Sequence, residues 1–88
     1  MFLLIITYAI FMNLNMAVAE TIKALRKQNG VSQEKLADAI DSHQVYISEI
    51  EKGKKIPSLT ILHNIAAFFE MSLTDLIKII EDKLRQDT

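Results

Sequence analysis

Eighty-eight residues, half of them apolar and 24% charged, fit one small domain with its own core and exclude a disordered chain. Two glycines, one proline and no Trp disfavour a turn-rich β-sandwich or barrel and favour an all-α chain with short links. The absence of Cys excludes a disulfide framework, a thiol nucleophile and a thiolate metal site, and His43 and His63 are too isolated to hold a metal, so none is expected. Ten Lys+Arg against eleven Asp+Glu give a net charge of −1, so any case for nucleic-acid binding has to come from local pattern.

Residues 1–19, MFLLIITYAIFMNLNMAVA, carry no charged side chain, whereas charges recur from Glu20 onward. The run approaches the ~20 residues that span a bilayer, but Thr7, Asn13 and Asn15 interrupt it and no Lys or Arg precedes it as in a secretion signal. Residues 1–15 are therefore set apart as an apolar extension: an anchor touching a membrane through residues 1–19, a strand or helix packed on the domain or on a second subunit, with the β-branched and aromatic types over 3–11 suiting a strand, a signal remnant, or a misassigned start with Met12 or Met16 as the alternative. Residues 16–88 form the domain proper.

Val18, Ile22 and Leu25 have the i, i+4, i+7 spacing of an amphipathic first helix, and Gly30 suits its end. Ser32 is the expected cap of a short second helix with Leu36, Ala37 and Ile40 inward and Glu34 near its positive end. Asp41 and Ser42 interrupt the pattern. Ser42 or His43 then caps a third helix, Gln44–Lys52, with Ile47 and Ile50 inward and Gly53 at its end. Lys54, Lys55, Ile56 and Pro57 make a basic surface link. Pro57 and Ser58 open a fourth helix through Leu59, Leu62, Ile65, Ala66 and Phe69. Ser72 and Asp75 resemble a capping box for a fifth helix carrying Leu73, Leu76, Ile77, Ile80 and Leu84.

Two short helices joined by two or three residues have to cross steeply, the arrangement of a helix-turn-helix. With Ile47 and Ile50 inward, the third helix leaves Gln44, Val45, Tyr46, Ser48, Glu49 and Lys52 on its outer face and flanks. That face suits a major groove: Gln pairs bidentately with adenine, Glu accepts from cytosine, and Val meets a thymine methyl. No Ser–His–Asp set, Gly-rich phosphate loop or catalytic carboxylate pair is visible, so no enzyme is expected.

The runs Ile22-Lys-Ala-Leu-Arg26, Gly30-Val-Ser-Gln-Glu-Lys-Leu-Ala37, Tyr46-Ile-Ser-Glu-Ile-Glu-Lys-Gly53 and Pro57-Ser58 resemble the DNA-binding domain of the Cro/repressor (Xre-like) helix-turn-helix regulators, over roughly residues 18–80. The resemblance implies a five-helix, lambda-repressor-like domain in which Gln33 binds a phosphate and braces Gln44, which reaches a base. It places Val45 and Glu49 where the family varies its operator choice, and Lys52, Lys54 and Lys55 where the chain meets the DNA backbone. His43, Tyr46 and Ser48 complete the expected contacts. Arg26 and Glu51 match a family ion pair that holds the recognition helix at its angle. Asp41 stands where the family's turn usually has Gly, which requires Asp in a left-handed conformation; with Glu49 it also brings negative charge near DNA phosphates.

Residues 23–55 hold seven Lys/Arg and five Asp/Glu, while residues 56–88 hold three and five, so the basic bias lies on the motif half. On the fifth helix Leu73, Leu76, Ile77, Ile79, Ile80 and Leu84 are more apolar surface than one face of a small domain hides, so some of them, with Leu73, Leu76, Ile77, Ile80 and Leu84 as the candidates, are expected to pair two subunits. A homodimer sets two recognition helices about 34 Å apart, one DNA turn, and predicts a palindromic operator on double-stranded DNA. Length and terminal helix also resemble the controller proteins of restriction–modification systems. The expected protein is a cytoplasmic, nucleoid-associated transcriptional regulator needing no cofactor or small-molecule ligand; the competing reading is a protein-interaction module, antitoxin-like or tethered to a membrane.

Overall fold

The computed structural model describes the backbone of residues 2–86 and the side chains of residues 14–85. Five helices follow one another: α1 (Phe2–Gln28), α2 (Gln33–Ala39), α3 (Gln44–Glu51), α4 (Leu59–Phe68) and α5 (Leu73–Gln86). Of the strand and the helix left open for residues 3–11, the helix is the one formed, continuous with α1 across residue 15. The described residues contain no strand for it to pair with, so a helix is the way its backbone groups find partners. Among the described residues no helix is long and apolar enough to cross a membrane; the anchor reading concerns mainly side chains 1–13, outside the described residues.

The helix limits follow from local chemistry. Ser32 Oγ accepts from the Lys35 amide at 3.0 Å and Ser58 Oγ from the Ile61 amide at 3.2 Å, so α2 and α4 each satisfy an orphan donor at the start. At α5 the Asp75 amide donates to Ser72 Oγ at 3.0 Å and the Ser72 amide to Asp75 Oδ2 at 3.4 Å, a reciprocal box. At α3 the cap position falls to His43, whose side chain makes no capping bond.

Four helices end in the same way. The amides of Val31, Ser42, Lys54 and Met71 donate to the carbonyls of Arg26, Ala37, Glu49 and Ala66, five residues back, at 2.8–3.0 Å, each closing a Schellman loop around one left-handed residue. Those residues are Gly30, Asp41, Gly53 and Glu70, with φ of 64°, 55°, 75° and 60°. Asp41 takes the conformation expected of it, which short polar side chains tolerate; Glu70, with no such compensation, was not legible as a left-handed position.

The core draws from every helix. Ile22, Leu36, Ile47, Ile50, Ile65 and Leu76 are fully buried, each stabilising the fold by about 1.5–3 kcal/mol. α1 packs on α3 and α5, α2 on α3 and α4, and α4 on α5, so α3 rests between α1 and α2. Lys83 and Glu20 join α5 to α1 across the surface at 3.5 Å. Two expectations need correction. Leu76 and Ile80 are buried inside the subunit and have no surface left for a partner; and in the link Lys54, Lys55 and Ile56 are exposed while Pro57 is buried, seating the start of α4.

Thr21 on α1 is buried, and its Oγ1 has no hydrogen-bond partner. Replacing a hydroxyl that is desolvated without compensation by a methyl of the same shape removes that cost. Thr21→Val is expected to stabilise the chain by about 1 kcal/mol in chemical denaturation. Glu70→Gly should likewise add about 1 kcal/mol, because relief of a left-handed residue outweighs the extra unfolded-state freedom of glycine.

Candidate nucleic-acid interface

The outer surface of α2 and α3 is organised by one buried carboxylate. Glu51, in the last turn of α3, accepts from Arg26 of α1 twice, Nε to Oε2 at 2.7 Å and Nη2 to Oε1 at 2.9 Å. This bidentate pair is nearly dry, with 12% of the Arg26 side chain and 4% of the Glu51 side chain exposed. The remaining arm of the guanidinium, Nη1, donates to the Val31 carbonyl at 2.9 Å. The loop that closes α1 thus fixes the plane of the group that holds α3.

From the same carboxylate a chain of hydrogen bonds runs outward. Gln33 Nε2 donates to Glu51 Oε1 at 3.1 Å, and Gln44 Nε2 donates to Gln33 Oε1 at 2.6 Å. Gln33 begins α2 and Gln44 begins α3, so the two helix starts are tied together at the turn. The bracing of Gln44 by Gln33 that the resemblance implied is present as a bond; the bond from Gln33 to Glu51 was not foreseen.

Burial alone pushes the Glu51 carboxyl up. The hydrogen bonds from Arg26 and Gln33, with the positive charges of Arg26 and Lys23, outweigh it and hold the group below its ordinary value of 4.5. The Arg26 guanidinium is raised, chiefly by its hydrogen bond to Glu51. The pair is therefore ionised wherever the protein works, and the carboxylate acts as an acceptor only.

Around this frame lie the remaining expected contacts. His43, Gln44 and Val45 are exposed at the start of α3, and Val45, with 64% of its surface open, is an apolar side chain left in solvent where a base methyl can cover it. Ser48 and Glu49 are half-buried on the following turn, and Tyr46 packs its ring partly against the core. Lys52, Lys54 and Lys55 are exposed after the helix. Lys55 Nζ lies 3.7 Å from Glu49 Oε2, so part of its charge is already answered within the protein. Gly53 suits this end of α3: its φ is 75°, and a Cβ there would stand 2.9 Å from the Sδ of Met16 of α1, a flexible side chain that would have to shift. The dimer set divides: Leu73, Ile77 and Leu84 are half-buried at the rim of the core and Ile79 is exposed, while Leu76 and Ile80 are internal. Among the described residues no group of His, Asp and Glu could hold a metal ion.

With that geometry in view, comparison with known proteins is decisive: the helix-turn-helix family HTH_3 matches residues 22–76. The chain belongs to this family. It is 34% identical over 61 residues to the HTH-type transcriptional regulator YgzD of Bacillus subtilis, covering 69% of this chain and 92% of that one. Identity to the control protein C.SmaI of Serratia marcescens is 30% over 67 residues, covering 76% and 80%. The wild-type restriction–modification controller protein C.Esp1396I superimposes with a TM-score of 0.72 at 27% identity, over 81% of this chain and 91% of that one. The chain spans about half, 51%, of another relative, the regulator DdrOP3 of Deinococcus deserti. This HTH_3 chain is thus a transcriptional regulator with a helix-turn-helix DNA-binding domain of the Xre type.

The ion pair predicts how the fold responds to mutation and acid. Arg26→Ala, which strands a buried carboxylate, is expected to destabilise by about 3–5 kcal/mol, whereas Arg26→Met combined with Glu51→Leu recovers most of the loss. Because the Glu51 carboxyl is lowered in the fold, its stabilisation is complete above its ordinary value of 4.5 and is lost as pH falls through the lower folded value. Urea denaturation from pH 7 to 3 should show this acid loss in the wild type and a weaker one in the double variant.

Proposed function

We propose that this HTH_3 regulator binds a palindromic operator in double-stranded DNA as a homodimer, each subunit laying α3 in a major groove. One observation carries the reading: Gln44 is held at the exposed start of α3 by the chain Gln33–Glu51–Arg26, beside an exposed Val45. An ordered amide and an uncovered methyl group on one short helix are the components of direct base readout. Glu49 extends the reading along the helix, while Gln33, Lys52, Lys54 and Lys55 take phosphates, with His43, Tyr46 and Ser48 at the flanks. Phosphate contacts set affinity and register; base contacts set the sequence.

Two subunits are needed because three or four phosphate contacts from a single one give weak binding at physiological salt. Leu73, Ile77, Ile79 and Leu84 on α5 supply the surface for pairing, with no role for the internal Leu76 and Ile80. The likeness to control protein C.SmaI and controller protein C.Esp1396I supports a regulator; we place it in the cytoplasm at the nucleoid, acting through binding alone, with no chemical step and no effector ligand.

Binding to a selected operator and to a scrambled duplex, measured across salt concentrations, tests this. Gln44→Ala is expected to weaken operator binding by about 1–3 kcal/mol and leave scrambled DNA unaffected. Lys54→Ala should weaken both alike and reduce the salt slope by about one unit per site lost. Equal losses on both duplexes for Gln44→Ala would contradict direct readout, and a monomer on the operator by sedimentation would contradict the dimer.

A further inference from the structure

We propose that the cleft between the loop after α1 and the loop after α4 is a docking site for an arginine side chain of a partner protein. It is built from residues to which the DNA-reading surface gives no role, and it stands independently of the operator reading. Asn29, Val31, Phe68, Phe69 and Glu70 line it, around a volume of about 280 Å³. Pockets that hold a whole small molecule run from roughly 300 to 1,000 Å³, so this one is sized for a single side chain.

Glu70 is the one charged residue of the lining, and it breaks two local rules. Its φ of 60° sets a side chain where glycine is favoured. It also places a carboxylate just beyond the end of α4 at Phe68, where the helix dipole is negative and a cation is preferred. The residue is exposed, and among the described residues no ion pair or hydrogen bond answers its carboxylate. A residue that costs stability twice and gains no partner inside the chain is suited to a partner outside it.

The rest of the lining has the same polarity. α1 ends at Gln28, immediately before Asn29, so a second helix C-terminus meets the cleft. Asn29 turns Nδ2 back to the Leu25 carbonyl at 2.7 Å, which leaves its Oδ1 to accept from a ligand. The amides of Asn29, Val31, Phe69 and Glu70 are all spent on carbonyls of the two helix ends. Phe68 and Phe69 are half-buried and set edge to face, with centroids 5.0 Å apart and planes at 80°, and a ring face attracts cations. Acceptors, negative charge and aromatic rings are on offer, and donors are not. A guanidinium is the complement: it carries donors only, stacks on rings and forks onto a carboxylate, whereas an ammonium is a more strongly hydrated point charge. The DNA backbone, anionic and rich in acceptors, is repelled by the same lining. Free arginine brings its own carboxylate against these negative ends, so the fitting source is an arginine within a polypeptide.

The test is amide chemical-shift mapping of the full labelled chain titrated with acetyl-arginine methylamide, an arginine capped at both ends as in a polypeptide. Shifts should concentrate at residues 29–31 and 68–71 and saturate in the millimolar range. The citrulline counterpart, of the same shape without the charge, and free arginine should both bind several-fold more weakly. Glu70→Gln is expected to weaken binding of the capped arginine about threefold to fivefold. Glu70→Gly should lose the same affinity while gaining stability in urea, so its loss of binding is not a loss of fold. Retained affinity in either variant, equal binding of the citrulline compound, or shifts spread over the acidic residues of α2 and α5 would overturn the inference. Free arginine bound as tightly as the capped form would overturn the assignment to a partner protein. Operator binding is unaffected by any of these outcomes, so the two readings fail separately.

Discussion

A charged pair withdrawn from water inside an 88-residue domain is costly to bury and far costlier to break, since either partner left alone keeps its desolvation penalty. In this chain the pair of Arg26 and Glu51 occupies the place where α1, the loop after it, and α3 converge. Hydrophobic contacts from Ile47 and Ile50 hold α3 on the core, but apolar packing is non-directional and tolerates small rotations. Three directed bonds from one guanidinium do not. The orientation of α3, and with it the direction in which Gln44 and Val45 face, depends on this pair.

The helix ends serve the same purpose at the level of the backbone. Each of the first four helices closes with a left-handed residue that returns the chain sharply toward the next element, which is how five helices fit with links of only a few residues. Two of those positions are not glycine. Asp41 lies in the turn between α2 and α3, and Glu70 lies between α4 and α5. The chain accepts local strain at both while keeping glycine at Gly53, where the Met16 side chain of α1 lies close to the end of α3.

Much of this was legible in the sequence. The 3.6-residue spacing of Val18, Ile22 and Leu25, the serines at 32, 58 and 72 and the glycines at 30 and 53 mark each of the five helices at one end, because caps and apolar spacing are local signals. The Gln33–Gln44 contact and the Arg26–Glu51 pair followed from the resemblance of whole motifs, since no local rule connects residues 11 or 25 positions apart. What escaped depended on three dimensions. Leu76 and Ile80 share an apolar stripe with Leu73 and Ile77, and only the packing of α1 and α4 against α5 decides which of them are internal. The apolar composition of residues 3–11 suits a strand as well as a helix, and the outcome is set by the lack of a pairing edge. The Gln33–Glu51 bond appears in no pattern at all, because an amide half-way between two polar groups has no spacing of its own.

The central claim is that the surface anchored by Arg26 and Glu51, and no other, meets DNA. Amide chemical-shift mapping of the labelled chain titrated with its selected duplex tests this most directly. The account predicts perturbations concentrated at Gln33, at Gln44–Glu49 and at Lys52–Lys55, with the side-chain amides of Gln33 and Gln44 among the largest. Perturbations centred on α4 or α5, with α3 unmoved, would contradict it.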